Sequence, residues 1–506
     1  MPSTRWWIAA PLTAVLSLSV LSPASATVAP LSAPELAAAS SHVVVAAVED
    51  AGSRWDRSLI VTDYSLRIEE RLRGEAPDRV TISIPGGTVG GETQETSVSF
   101  PLEVGARYLL FLGDLERPTL TPVTGAWQGA FREDERLAFS ETVDAARALV
   151  AWAEGKPVPT LEASAASRPA PSEAIHGVEK YTLATTLASP PLAFNVALPA
   201  DSPFFPAIEL QLAKWNVYAG NLFQRPPTTG EWRFGNGVSD FAGFPNDAQM
   251  TAVLGRTWSA NSISFSTSRI VDGRIVESDI AFNPAQRWTL DAGEATRPGA
   301  PFLFQDSLLR ALGFSWGLRN PYEVPGRPFD FQEVQWDSVL NFREPQYHLA
   351  TLFADDVAAA RDAFGGTSLR DGVISSYTTQ RSGTITPFYT PAVPTPSSVR
   401  PGAKFNLSKI KIENTGTVPL AKPTVEVYLT PSRFSLAGAI LVKRLRASAT
   451  IQSGGVLNVT PGKVTVPART PAGTYFLAFV LKDAKDGFQE NNRAWSNYNV
   501  TVRVVR

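Results

Sequence analysis

The sequence predicts a multidomain protein with an all-β barrel or sandwich at the N-terminus, a central α+β unit and a C-terminal β-sandwich. Three observations predict this class. The length of 506 residues suits about three domains. Stretches rich in Pro, Ala, Ser and Thr at 155–177 and 367–398 are typical of linkers. Between these two stretches the chain mixes helical and strand-like segments, whereas the segments before and after them are mainly strand-like.

The composition excludes several classes of chemistry. The chain has no cysteine, so disulfides, thiol nucleophiles and Cys-ligated zinc sites are excluded. Its three histidines, His42, His176 and His348, limit any metal or triad chemistry to these side chains and to carboxylates. The 46 Lys and Arg nearly balance the 48 Asp and Glu, and a balanced chain predicts no nucleic-acid partner.

The first 26 residues have the pattern of an export signal. Arg5 precedes an apolar stretch, and Ala24, Ser25 and Ala26 form a small-residue cleavage site. We expect cleavage after Ala26 and a secreted or periplasmic protein. Pro11 and Pro23 interrupt the apolar run, and no later stretch reaches the roughly 20 apolar residues of a spanning helix, so no membrane span is expected.

The first unit, 41–154, is predicted to be β-rich with a C-terminal helix. Period-two alternation and turns at Gly86–Gly87 and Gly90–Gly91 predict a small barrel or sandwich. Ser140 is the predicted cap of the helix. The predicted strands include residues 64–68, 80–84, 98–100 and 108–112.

The second unit, 178–366, has an α+β pattern because its helical and strand-like stretches do not alternate regularly. Ile208, Leu212 and Trp215 share one face of the first predicted helix. The last helix has an acidic first turn and ends at a pair of glycines. The predicted helices are 207–218, 303–313 and 354–364, and the predicted strands are 262–267 and 274–282.

The third unit, 399–506, has short strands at regular spacing with Gly and Pro turns between them. This spacing is typical of a β-sandwich of immunoglobulin type. Its predicted strands are 405–413, 424–430, 456–466, 473–481 and 496–505.

Several stretches of the second unit resemble a matrixin, a secreted bacterial zinc metalloprotease of the metzincin group. Phe205 to Asn216 resembles the family's first helix, which ends in Trp-Asn. The stretch 275–283 (IVESDIAFN) resembles the strand that shapes the substrate cleft, with Asp279, Phe282 and Asn283 matching the family's D-x-x-F-N pattern. Phe353 to Gly365 resembles the closing helix. The resemblance implies a metzincin-like α+β fold for 178–366.

The family's zinc motif, H-E-x-x-H-x-x-G-x-x-H, falls on residues 306–316, where all four chemical positions differ. Asp306 replaces the first His, Ser307 the general base, Arg310 the second His and Trp316 the third. Gly313 keeps the turn position. Catalytic zinc needs three N or O ligands and a water, and Arg and Trp supply no lone pair for it. No catalytic residue, cofactor or metal is therefore expected, and zinc in particular is not.

Leu340 stands where the family has the methionine of the Met-turn, within residues 337–341. The sequence therefore predicts a pseudoprotease with a binding or scaffold role rather than a zinc endopeptidase. Its partner would be an extracellular protein, peptide or glycan. An alternative remains open, in which 303–313 is an ordinary core helix and the likeness is accidental.

A competing interpretation makes the protein an active secreted hydrolase. Either the zinc site has been rebuilt, or Ser315 is a nucleophile, because 313–317 (GFSWG) fits the G-x-S-x-G pattern of α/β-hydrolases. Asp330, Asp337 and His348 follow in the order such a triad needs. However, that pattern requires a strand before the serine and a helix after it, and here a helical stretch precedes it while several prolines follow.

The third unit resembles the CARDB family (cell-adhesion-related bacterial domain), which has an immunoglobulin-like sandwich fold. The matching stretches are 412–416 (IENTG), 467–475 (PARTPAGTY) and Glu490–Asn492. The last of these has two interpretations, a cation or glycan site and a polar hairpin turn, and the turn is favoured.

Overall fold

The computed structural model describes most of the chain and holds 29 β-strands and six α-helices within the described residues. The predicted signal peptide and most of the predicted linker 155–177 lie outside them. The described residues are 28, 31, 33–133, 139–156, 182–183, 186–199, 201–224, 231–292, 294–295, 300–319, 339, 352, 354–365, 368–374, 390–483, 485–486, 492–496 and 500–506.

The first part of the chain forms a five-stranded antiparallel sheet with helices on one face. Its elements are α1 (Ala33–Ala39), β1 (His42–Asp56), β2 (Leu59–Arg73), β3 (Arg79–Pro85), β4 (Gly87–Val89), β5 (Glu92–Thr96), β6 (Arg107–Leu112), a 3-10 turn (Ala126–Gly129), β7 (Ala130–Arg132) and α2 (Phe139–Ala153). The sheet order is β3-β2-β1-β6-β7. Val43 and Val45 of β1 pack with α1 and α2, whereas Val44 and Ala46 face a second core, so this strand is apolar on both sides.

Two predictions within this part differ from the structure. Val98 and Phe100 were predicted to lie in a strand, but the strand in this region is β5, which ends at Thr96. Val98 is buried in the turn that follows β5. Gly90 and Gly91, with φ of 61° and 88°, form the turn of the β4–β5 hairpin, and this left-handed geometry favours glycine. Ser140 lies inside α2 rather than at its cap.

The second part is an α+β arrangement. Its elements are β8 (Thr182–Leu183), β9 (Thr186–Leu187), β10 (Leu192–Val196), α3 (Phe205–Ala219), β11 (Phe223–Gln224), β12 (Ser239–Phe241), α4 (Asp247–Leu254), β13 (Ser264–Val271), β14 (Arg274–Phe282), β15 (Trp288–Thr289), β16 (Phe302–Leu303), α5 (Phe304–Ser315), β17 (Leu318–Arg319) and α6 (Ala354–Phe364). The strands β11-β10-β12-β14 pair in parallel, and β13 joins β14 antiparallel. One apolar core includes residues of α3, α5, α6 and this sheet.

The N-terminal and central parts are one continuous structure, which corrects their prediction as separate units. Strand β5 pairs antiparallel with β13 from Thr96↔Thr267 to Glu92↔Val271, so the β4–β5 hairpin extends the central sheet to β11-β10-β12-β14-β13-β5-β4. A shared apolar core places Val61 and Trp127 together with Phe265. Two ion pairs also join β5 to the central part, Glu92 with Arg269 of β13 and Glu95 with Arg319 of β17.

The C-terminal part is a β-sandwich around one apolar core. Its elements are β18 (Gly372–Ile374), β19 (Pro394–Thr395), β20 (Ser398–Val399), β21 (Lys404–Leu407), β22 (Ile410–Asn414), β23 (Thr424–Thr430), β24 (Ile440–Arg446), β25 (Val456–Val459), β26 (Gly462–Thr465), β27 (Gly473–Lys482), β28 (Arg493–Trp495) and β29 (Thr501–Val504). One sheet has the order β20-β29-β27-β23-β24 with β28 on β27. The strands β18-β22-β25 and β19-β21-β26 lie opposite it across the core.

The predicted linker 367–398 is wrong in part, because β18 and β19 lie within it and belong to the sandwich. Strand β24 was not predicted. Its sequence, ILVKRLR, does not alternate regularly between apolar and polar residues, and its apolar residues are only half-buried.

Buried polar contacts join the start of β18 to the central part. The Tyr218 hydroxyl of α3 and the Thr415 hydroxyl both donate to the Asp371 carboxylate.

Candidate functional site

Helix α5 carries three of the four positions that correspond to the zinc motif, and the fourth follows its last residue. Asp306, Ser307 and Arg310 lie in the helix, and Trp316 is its C-terminal neighbour. All four residues are buried. The four positions therefore lie in the interior of the central part, and none of these side chains is open to solvent.

Arg310 is held against the backbone next to the predicted Met-turn. Its guanidinium Nη1 donates to the carbonyl oxygen of Val339 at 3.3 Å. The backbone N–H of Val339 in turn donates to a carboxylate oxygen of Asp356, in α6, at 3.0 Å. Leu340 itself lies outside the described residues. A guanidinium is a donor only, and here it satisfies a buried carbonyl rather than leaving room for a metal.

Trp316 fills an aromatic cluster between α3 and α6. Its ring centroid lies 5.3 Å from that of Trp215 and 5.5 Å from that of Phe364, in both cases nearly edge to face. The Trp215 indole N–H donates to the Leu309 carbonyl at 3.3 Å, which fixes α3 against α5. The sequence analysis identified Trp215 as a core residue but not as the partner of Trp316, because the two are distant in sequence.

The residues at these positions do not fit a zinc ion. Arg310 and the indole of Trp316 have no lone pair to give, so Asp306 is the one anionic ligand among the four. The Ser307 hydroxyl is buried and makes no hydrogen bond within the described residues. Across those residues, no group of three or more His, Asp or Glu side chains is arranged to hold a metal ion. No catalytic step through zinc follows from this donor set.

Ser315 does not have the surroundings of a nucleophile elbow. It is the last residue of α5, so a helix precedes it where the elbow needs a strand. The side chain is fully buried, and its hydroxyl donates to the Leu312 carbonyl at 2.7 Å. Asp330, Asp337 and His348 lie outside the described residues. The local geometry thus explains Ser315 as a residue that ends a helix.

The other residues that resemble the family have structural roles here. Asn216 binds both backbone groups of Phe223, which fixes the turn from α3 into β11. Asn283 donates to the Ser262 carbonyl at 2.7 Å and accepts the Ala285 N–H at 2.9 Å. These amides hold the ends of the sheet strands in place, as short polar side chains often do at turns.

Three carboxylates gather at the start of β12 and along β14, where the sequence analysis had noted Asp279 alone. Asp279 accepts the N–H of Asp240 at 2.9 Å, and Glu277 accepts the N–H of Asn236 at 2.8 Å. Burial, together with the charge of Glu277, raises the pKa of Asp279 well above its usual range. Burial likewise raises the pKa of Glu277 and of Asp240. The cluster anchors the loop before β12.

This cluster predicts a pH-dependent stability. The unfolded chain ionises Asp279 near pH 4, but the folded protein holds that proton to higher pH. Between these two pKa values the unfolded state binds fewer protons, so wild-type stability falls as pH rises, by up to about 1.4 kcal/mol per pH unit for this group. Asp279→Asn cannot ionise. Its unfolding free energy relative to wild type should therefore rise with pH in urea titrations above about pH 4.

The control for this experiment is Asp201→Asn, at an exposed position. It should follow the wild-type pH dependence. A difference between Asp279→Asn and wild type that stays constant at every pH would contradict the prediction.

The polar stretch that was considered as a cation or glycan site is described only at Asn492. Glu490 and Asn491 lie outside the described residues. Asn492 is buried, and its side-chain oxygen makes no hydrogen bond within the described part of the chain. One buried amide oxygen does not make a site for a cation, which needs several oxygen ligands.

Comparison with known proteins adds fold-level neighbours for part of the chain. No family model matches, and no curated protein matches in sequence. The CARDB domain of PF1109 from Pyrococcus furiosus, solved in complex with di-metal ions, is 16% identical, covering 28% of this chain and 96% of its own, with a TM-score of 0.17. A domain of a putative cell surface protein from Methanosarcina acetivorans is 18% identical, covering 27% of this chain and 94% of its own, with a TM-score of 0.17.

A Niemann-Pick type C2 protein from the Japanese carpenter ant is a further neighbour. It is 11% identical, covers 28% of this chain and 96% of its own, and has a TM-score of 0.16. Scores at this level identify no ligand or activity. Within the described residues, no helix is long and apolar enough to cross a membrane.

Proposed function

We propose that the protein is an exported binding or scaffold protein, in which residues 178–366 keep a matrixin-like frame without zinc chemistry and a CARDB-like sandwich follows. One observation carries this proposal. At the position of the third zinc ligand, Trp316 is fully buried against Trp215 and Phe364. An aromatic core residue there stabilises the fold in the place where an active enzyme needs an imidazole.

The order of the elements supports the matrixin-like frame. Helix α3, strand β14, helix α5 and closing helix α6 follow one another along the chain as the resemblance implies, and they share one apolar core. The loss of chemistry is supported by the charges. Arg310 places a permanent cation at a ligand position, and a cation repels a metal ion as well as failing to bind it.

The alternative of an active exported hydrolase gains no support from these side chains. A rebuilt zinc site would need two more ligands beside Asp306, and a serine hydrolase would need Ser315 exposed at a strand–helix turn, whereas Ser315 is buried in α5. The binding or scaffold role is therefore the better interpretation.

The proposal predicts that zinc binding can be created by reversal of the four substitutions. The parent protein, purified without chelator, should hold no stoichiometric zinc. Asp306→His, Ser307→Glu, Arg310→His and Trp316→His together should create a site, because positions 306 and 310 share a helix face and position 316 lies just past the end of the helix. The turn predicted at Gly313 is not formed, since α5 continues through this residue to Ser315. Zinc titration by calorimetry is the measurement, and activity is not required, since neighbouring groups also tune such sites.

The matched control has alanine at the same four positions, so that it loses the same packing without gaining ligands. It should bind no more zinc than the parent. A reverted variant that keeps the parent's circular dichroism spectrum yet binds no zinc would contradict the matrixin-like frame. Stoichiometric zinc in the parent would contradict the loss of the metal site.

A further inference from the structure

The charges of the chain are strongly segregated. Residues 399–506 carry 16 Lys and Arg against five Asp and Glu, while the first 398 residues carry 30 against 43. The near-zero net charge of the chain is therefore the sum of a negative charge on the first 398 residues and a positive charge on the C-terminal sandwich. A surplus of 11 positive charges on about 100 residues is enough to attract polyanions over the range of a Debye length.

Four of these cations lie on the outer face of the larger sheet, which we call the basic face: Arg444, Arg446, Lys482 and Arg493. The register places Arg446 and Lys482 on either side of Thr424 in one row. Arg444 and Arg493 lie in the next row, separated by Glu426 and Val480. At about 4.8 Å between strands and about 7 Å between alternate residues, the four Cα atoms span roughly 7 by 14 Å.

The alternation of the strands fixes which side of the sheet these residues occupy. Val425, Leu445 and Leu481 point into the core of the sandwich. Their neighbours Arg444, Arg446 and Lys482 therefore point outward. The side chain of Arg444 is 67% exposed and that of Lys482 is 58% exposed. Arg446 and Arg493 are also exposed.

The basic face is only partly neutralised. Glu426 accepts the Arg444 guanidinium at 2.8 Å and lies 3.8 Å from the Lys482 ammonium. Arg446 and Arg493 make no ion pair with any described residue. One carboxylate thus sits among four cations, and two guanidinium groups remain open to an outside anion.

We propose that the basic face binds an extended acidic polysaccharide. Guanidinium groups match carboxylate and sulfate groups in a bidentate way, and their repeat along the sheet suits a polymer with an anionic group on each sugar. The nearby rings do not favour single-stranded nucleic acid, which stacks its bases on open aromatics. Trp495 is buried against Phe434, and Tyr428 is held on Glu426.

This inference adds a partner class to the C-terminal sandwich and uses no property of residues 178–366. The test of this proposal is independent of the matrixin-like frame, because the positive charge and the strand register on which it depends belong to residues 399–506 alone.

The test is binding of the full mature chain to polygalacturonate, with neutral dextran as the reference polymer, over a series of salt concentrations. We expect binding to polygalacturonate that weakens steeply with salt, and none to dextran. Arg446→Ser/Arg493→Ser should weaken it about tenfold, because each exposed ion pair contributes up to about a factor of five. This pair leaves the Glu426 contacts intact, and an unchanged thermal melt verifies that it folds.

The matched control is Lys404→Ser/Lys409→Ser, which removes the same charge from exposed positions off the basic face. It should change the affinity less than twofold. An equal loss in both double variants would overturn the proposal, because total charge alone would then explain binding. Absence of binding to polygalacturonate would also overturn it. So would tighter binding to duplex DNA or to vesicles of phosphatidylglycerol and phosphatidylcholine.

Discussion

Trp316→Ala is expected to lower the free energy of unfolding by about 3–5 kcal/mol, the usual cost of removing a large buried ring. The side chain is fully buried between Trp215 of α3 and Phe364 of α6. Its removal leaves a cavity bounded by two rigid helices, which relax only partly. Urea denaturation followed by tryptophan fluorescence and circular dichroism measures the change.

The control is Trp55→Ala, because Trp55 is 41% exposed at the β1–β2 hairpin. Its effect should stay within about 1 kcal/mol. A similar small effect at Trp316 would mean that this ring is not a core residue, and it would remove the observation on which the proposed loss of the zinc site depends.

In a chain that begins at residue 178, the central part is expected not to fold stably. Without the N-terminal part, β13 loses its partner β5 and becomes an open edge. Phe234 and Phe265 would also lose the cover of Val61, Leu120 and Trp127. The cooperative thermal transition of the central helices, followed by their circular dichroism and expected in the full chain, should be absent from the fragment 178–506, whereas the sandwich, which has its own apolar core, should keep its transition.

The matched control keeps every residue but cuts the chain. A protease site inserted within 157–177, outside the described residues, should give two fragments that stay associated on gel filtration with nearly the parent's melting curve. A cooperative transition of the central helices in 178–506 would contradict the expectation and restore the interpretation of two independent units.

Local patterns predicted the longer elements of the central part, but they missed α4 and the short strands. The helix predicted at 303–313 is Phe304–Ser315, and the helix predicted at 354–364 is Ala354–Phe364. Strand 274–282 agrees with Arg274–Phe282. These elements have strong apolar periodicity and clear end signals, and such signals act over a few residues.

Contacts between distant residues could not be predicted in the same way. The pairing of β5 with β13 joins positions more than 170 residues apart, and no local pattern in Glu92–Thr96 identifies its partner. The same holds for Trp316 and Trp215. Strand β18 was assigned to a linker because its three residues are too short to show alternation.

The total charge concealed a further feature. The near-zero net charge was the basis for predicting no nucleic-acid partner, yet it is the sum of an acidic part and a basic part of the chain. Whether a surface attracts an anionic partner depends on the charges near that surface. The net charge of each segment is therefore more informative than the net charge of the whole chain.

The Tyr218–Asp371–Thr415 contacts have a consequence for how several partners could be held at once. Burial and the neighbouring carboxylates raise the pKa of Tyr218 well above its usual range, so its hydroxyl keeps the proton that it donates to Asp371. Arg361 of α6 adds a hydrogen bond to Ser453 of the sandwich. These contacts would hold a ligand on the basic face at a set distance from a ligand on the central part, so that two linked ligands with this spacing would gain avidity over pairs with other spacings. The protein would then select its targets by length as well as by chemistry.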